Sequence, residues 1–148
     1  MKKSRAFTLI ELLIVMSVIA IIISIALPSF KGMQNQARII KAQGDLRSIK
    51  VAIESYYSNN NNQYPAVANY QTTLQSATPQ ILTTTLSDPF STGASSTYAY
   101  ALSNTTGSNS SYYVIYSVGL QGTGSASVNN TTGVVSATGN SIWDGNGH

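Results

Sequence analysis

The sequence predicts an α+β chain: a long N-terminal helix, half of it transmembrane, packed on a small antiparallel sheet of three or four strands. Three observations carry that expectation. Phe7 to Leu27 is an apolar run interrupted only by Thr8, Glu11, Ser17 and Ser24. Apolar residues then recur at steps of three and four from Ile39 to Tyr56. Beyond Asn62 the composition shifts to Ser, Thr, Asn, Gly, Ala and Tyr, with short alternating segments between turn-forming clusters.

The apolar run comes first. As a helix it is about 30 Å long, matching the hydrocarbon thickness of a bilayer. Lys2, Lys3 and Arg5 precede it and favour a cytoplasmic N-terminus, which places everything after Leu27 outside the cytoplasm. A secretory signal peptide is the competing reading, with Ser24 to Ala26 as a small-x-small cleavage site. That reading makes the chain a soluble secreted β-rich protein cut after Ala26. Glu11, expensive within an apolar core, and the helical pattern that continues past Leu27 both count against it.

Pro28 follows the run without a break in the helical pattern, and Gly32 lies four residues later. Together they predict a bend or loosened turn, because proline removes a backbone donor and glycine costs about 1 kcal/mol of helix propensity. Ile39, Ala42, Leu46, Ile49, Ile53 and Tyr56 then form one apolar helix face, with Lys41, Asp45, Arg47, Lys50 and Glu54 on the other. Lys50 and Glu54 have the spacing of a weak surface pair. The run Ser58 to Asn62 ends the helix, since Asn tolerates left-handed backbone.

In the head, a short helix is expected around Tyr70 to Ala77, and strands at Thr97 to Leu102 and Tyr112 to Val118. These two strands form a hairpin, and Ala126 to Ala137 forms a second one with its turn at "NNTTG".

Basic charge is confined to the N-terminal third. All eight Lys and Arg lie at or before Lys50, and from Ser55 onward the only charged residues are Asp88 and Asp144. The formal net charge of +3 resides in the first six residues, because five basic and five acidic residues remain after Ala6. No basic patch is left for phosphates, so nucleic acid is not an expected partner of the head. The chain has no cysteine, so disulfides and thiolate metal sites are excluded. His148 is the only histidine, and no triad, phosphate loop or paired-carboxylate pattern appears, so an enzyme is not expected. Asp88, before Pro89, is read as a turn cap, and Asp144 as a turn residue.

The stretch "RAFTLIELLIVMSVIAIIISIALPSF" resembles the N-terminus of type IV pilins and type II secretion pseudopilins. Those proteins have a short basic leader, a small residue, Phe-Thr-Leu-Ile-Glu, an apolar run and a proline. Here Phe7, Thr8, Leu9, Ile10, Glu11 and Pro28 occupy these places. The resemblance implies a pilin-like fold and four segments: a prepilin leader over 1–6, a transmembrane and filament-core helix over 7–28, an amphipathic helix half over 29–58, and a periplasmic or extracellular head over 59–148.

It also implies cleavage between Ala6 and Phe7 by a prepilin peptidase, and methylation of the new Phe7 amine. Most such leaders end in Gly, where this chain has Ala6. Glu11 is implied to meet the N-terminal amine of a neighbouring subunit, and Thr8, in the same assembly segment, helps the helix start. Weaker likenesses follow in "NNQYP", "LSDPF", "YAY", "SVGLQG" and "SIWDGNG", which are similar to segments of the major, G-type pseudopilins.

The implied role is a structural subunit of a type II secretion pseudopilus that drives protein export across the outer membrane. A type IV pilus subunit is the alternative. Its implied partners are further copies of itself, other pseudopilins or minor pilins, the inner-membrane platform and ATPase, and the inner membrane. G-type pseudopilins usually hold calcium in a loop after the tyrosine strand. This sequence has no Asp or Glu from Val118 to Ile142, so Asp144 is only a weak calcium candidate and no cofactor is expected.

Overall fold

The computed structural model describes residues 7–93, 96–104 and 110–148. Its first element is α1, Leu9–Asn59, a helix that continues unbroken through Pro28 and Gly32. Thr8 starts it: the Glu11 amide donates to Thr8 Oγ1 at 3.3 Å, and the Leu12 amide donates to the Thr8 carbonyl. A Thr side chain satisfying the amide three residues on is the N-cap that unpaired first-turn donors require. The helix stops where the asparagine run begins, with Asn61 and Asn62 both at positive φ.

Two compact units divide the chain, residues 1–36 and Ala37–His148. In the first, every residue from Phe7 to Gln34 is exposed. Two of its hydroxyls bond back to the helix: Ser17 donates to the Ile14 carbonyl at 2.7 Å, and Ser24 to the Ile21 carbonyl at 2.8 Å. The helix is long and apolar enough to cross a membrane.

The second unit is built around the C-terminal half of α1. A 3-10 turn at Val67–Asn69 leads into α2, Tyr70–Ser76. Five strands follow: β1 Ala99–Leu102, β2 Tyr113–Ser117, β3 Ser125–Val128, β4 Val135–Thr138 and β5 Ile142–Gly145. The sheet is antiparallel, in the order β1-β2-β5. The expected α+β arrangement of a long helix on a small antiparallel sheet is therefore present.

The second hairpin differs from expectation in its place. Strands β3 and β4 do form from Ala126 to Ala137 with the expected turn, but they make a separate two-stranded ribbon. The third strand of the main sheet is instead β5, the segment around Trp143, where a turn is expected at Asp144. An Ile-Trp-Asp-Gly segment is too short to show periodicity. It becomes a strand only because β2 offers it a free edge.

Burial follows the predicted helix stripe. Ala42, Leu46, Ile49, Ala52 and Ile53 are buried with Leu74, Phe90, Tyr98, Tyr113 and Ile115, while Ile39 and Tyr56 flank them. The opposite face of the sheet packs Val114 against Ala126 and Val128 of the ribbon. Strand β2 is thus buried on both faces, which is why Tyr113 to Ile115 reads as a continuous apolar run. Gly119 has φ +72, and a Cβ there would overlap the Asn140 carbonyl, so this bend after β2 accepts only glycine.

Candidate functional site

Two places carry chemistry: the start of α1, and the layer between α1 and the sheet. At the first, Phe7 is 77% exposed and Thr8 caps the helix. Thr8 Oγ1 also lies 3.5 Å from Glu11 Oε2, so one hydroxyl links the first-turn amide and the carboxylate. The four residues from Thr8 to Glu11 have the spacing of a capping box. A carboxylate in the first turn also faces the positive end of the helix dipole. Glu11 is the only charged residue between Phe7 and Phe30. The serines of the span are bonded to their own helix, so Glu11 alone retains strong capacity for an outside partner. Ala6 and the basic residues before it lie outside the described residues. Pro28 lies inside α1, and a Cβ at Gly32 would meet nothing within 4 Å.

In the second place the helix residues taken as a solvent face become anchors. Tyr98 donates to Asp45 Oδ2 at 2.8 Å, and Tyr113 donates to Glu54 Oε1 at 2.8 Å. Lys50 Nζ pairs with Asp144 Oδ1 at 2.8 Å, both side chains about one-third exposed (37% and 32%). Lys50 thus bonds Asp144 on β5, and Glu54 takes a tyrosine, instead of the two pairing along the helix. Each side chain leans from the edge of the buried stripe onto the sheet, where a better-fixed partner waits.

Asp88 does more than cap a turn. It accepts from the Phe90 amide at 3.0 Å, as a cap would, but also from Ser117 Oγ at 2.8 Å and the Val118 amide at 2.9 Å. At 3% exposure it ties the "SDPF" segment to the end of β2. The sequence shows an Asp-Pro turn there but gives no sign of the distant partner.

Five tyrosines form a continuous array. Ring centroids are 4.4 Å apart for Tyr57–Tyr64, 4.9 Å for Tyr64–Tyr113, 6.1 Å for Tyr113–Tyr100 and 4.8 Å for Tyr100–Tyr70. Burial, then the charges of Glu54 and Tyr57, pushes the Tyr64 phenol up to about 12. Burial also raises Tyr70 to about 12, against a hydrogen bond from Gln71 that lowers it. Tyr98, Tyr100 and Tyr113 are raised further, by burial first and then by Asp45, Tyr64 and Glu54 respectively. The Tyr100 hydroxyl is the one buried side-chain group among the described residues without a hydrogen-bond partner.

Asp144, expected in a turn, lies on β5. Its Oδ1 is held by Lys50 and by the Gly145 amide at 2.8 Å. Among the described residues no three His, Cys, Asp or Glu side chains gather. That oxygen is already engaged by an ammonium and an amide, whereas a calcium ion takes six to eight oxygens.

The structure thus holds a capped, exposed apolar helix and a head in which a helix packs on a small antiparallel sheet. The prokaryotic N-terminal methylation motif matches residues 1–27. The chain is similar to the type IV major pilin protein PilA of Myxococcus xanthus, 36% identical over 67 residues, covering 45% of this chain and 30% of that protein. It is similar also to the fimbrial protein EcpB of Eikenella corrodens, 44% identical over 55 residues (37% of this chain, 35% of that one). The type II secretion system core protein G of Pectobacterium carotovorum is 31% identical over 64 residues, 43% of this chain and 40% of that one. The chain thus spans between 30% and 40% of the length of these curated relatives. No solved structure matches it to the same standard.

Proposed function

We propose that this chain is a structural subunit of a helical pilus-like filament, and that the filament is a type II secretion pseudopilus. One observation carries the reading: a membrane-length apolar span at the start of α1, exposed throughout, whose only charge is Glu11 in the first turn. An unpaired carboxylate in an apolar medium costs several kcal/mol. Cleavage between Ala6 and Phe7 by a prepilin peptidase creates an α-amine one helical turn from Glu11. The peptidase then methylates that amine, which keeps its positive charge. The pair forms between neighbouring subunits and selects their axial register, while Thr8 holds the carboxylate side of the first turn.

The similarity to core protein G supports the pseudopilus, as do Tyr64, Asp88 and Phe90, the motif residues built into the head. The similarity to PilA and EcpB supports a second reading, a type IV pilus subunit with the same processing and the same use of Glu11.

Mass spectrometry of the chain isolated from its host membrane tests the common part. A mature N-terminus at methylated Phe7 is expected; a chain beginning at Leu27 overturns both readings. Deletion of the gene separates them, since loss of exoprotein release with intact surface pili selects the pseudopilus. Glu11→Ala is expected to leave insertion and head stability unchanged and to abolish filaments. Normal filaments from that variant would refute the pairing.

A further inference from the structure

The residues that follow β5 clasp the head, and one side chain makes most of the clasp. Asn146 Oδ1 accepts from the Tyr113 amide at 2.7 Å, and its Nδ2 donates to the Tyr64 hydroxyl at 2.9 Å and to the Ser111 carbonyl at 3.0 Å. A side-chain amide suits the place because one end accepts while the other donates twice, which neither a carboxylate nor a hydroxyl does. Two residues on, the His148 amide donates to the Gly133 carbonyl at 2.9 Å, and the His148 carbonyl accepts from the Val135 amide at 2.8 Å. The segment is thus tied to β2 at one end and to β4 and its preceding turn at the other. Gly147 lies between the two ties. A Cβ there would come within 2.7 Å of Val135 Cγ2 and 2.8 Å of the Gly133 carbonyl oxygen, so the position takes only glycine.

Packing therefore dictates Asn at 146 and Gly at 147, the only Asn-Gly pair in the sequence. That pair carries a chemistry of its own. With no side chain on the glycine to hinder the approach, the Gly147 nitrogen is free to attack Cγ of Asn146 once the backbone turns to allow it. The N–Cγ bond forms as the Cγ–Nδ2 bond breaks, the Gly147 nitrogen gives up its proton, and ammonia leaves a succinimide ring. Water then opens the ring at one of its two carbonyls, giving Asp or an isoaspartyl residue with one more carbon in the main chain. In the folded head both ends of the Asn146 amide are engaged, and the His148 bonds hold the backbone beyond the attacking nitrogen. These restraints are lost together when residues 146–148 leave the sheet, a local opening that needs less energy than global unfolding.

We propose that Asn146 is a deamidation site gated by this clasp, silent while the segment is docked and reactive once it opens. The product does not reclose. A carboxylate has no hydrogen for the Ser111 carbonyl, and the extra main-chain carbon of an isoaspartyl residue carries His148 out of register with Gly133 and Val135. A head that has opened is thereby marked covalently and kept open. The site is independent of the filament reading, since it uses only residues of the head.

The test incubates the full chain in detergent micelles beside the peptide acetyl-SIWDGNGH-amide and follows residue 146 by peptide mapping and mass spectrometry. Deamidation in the folded chain is expected to be slower than in the peptide by about tenfold or more, and to approach the peptide's rate when the chain is unfolded in urea. Tyr64→Phe removes one acceptor of Nδ2 and keeps the ring, so it should raise the folded rate severalfold. Asn146→Gln should abolish the mass change at this position, which separates it from mass-neutral isomerisation at Asp144. The deamidated chain should exchange its Val135 and His148 amide hydrogens faster than the unreacted chain. A folded rate equal to the peptide's overturns the gate, and a chain in urea that stays unreacted, or reacts at Asn140 instead, overturns the site. Unchanged exchange at Val135 and His148 after deamidation overturns the locked-open product.

Discussion

The two parts of α1 obey different rules. From Phe7 to Gln34 every residue is exposed and no side chain is buried, although most are apolar. From Ala42 to Ile53 the same helix buries every residue of one stripe against α2 and the sheet. In the first part Ser17 and Ser24 bond back to their own helix, and the apolar surface gains nothing until lipid or another chain covers it. In the second part the cover is the protein's own head. Substitutions in the span should therefore register in insertion and assembly, and those in the head in unfolding.

The largest effect that sharpens this contrast is expected from Leu46→Ala. It empties a fully packed position and should destabilise the head by about 2–5 kcal/mol in denaturant unfolding, with membrane insertion unchanged. An equal loss from Leu13→Ala, in the exposed span, would break the distinction. Asp88→Ala comes next: it strands the Phe90 and Val118 amides and the Ser117 hydroxyl, and should cost about 3 kcal/mol by the same measurement.

Alkaline titration tests the tyrosine layer. Folded phenols raised above their unfolded value of 10.0 stay protonated when the unfolded chain has lost those protons. The unfolded state then binds fewer protons, so stability is fully present below pH 10 and falls as pH rises through about 12 for Tyr64 and Tyr70. Head unfolding followed by circular dichroism from pH 9 upward should show that fall; a flat profile would place these rings in solvent. The smallest effect belongs to Lys50→Ala. Its pair with Asp144 is partly exposed, so a loss of about 0.5 kcal/mol, reduced by salt, is expected.

Much of this molecule was legible because its signals are long. The apolar run, the stripe from Ile39 to Tyr56 and the asparagine stop each extend over several residues, and periodicity reads such stretches well. The first hairpin and α2 were legible within a residue or two. What was not legible turned on partners far apart in sequence. Nothing near Lys50 shows that its partner is Asp144, because the i to i+4 spacing to Glu54 looks equally good until β5 is in place. The ribbon β3–β4 looks like a continuation of the sheet until β5 occupies the edge of β2.

By itself, then, the sequence determined the elements that depend on local physics: a bilayer-length helix with one carboxylate, its Thr8 cap, its amphipathic continuation and its turn-bounded strands. Tertiary structure alone decided which strand fills the edge of β2 and which acids serve as anchors for tyrosines. The reason is physical. Helix and turn formation reward residues three or four apart, whereas an edge amide or a buried carboxylate is satisfied by whichever group the completed fold brings within 3 Å.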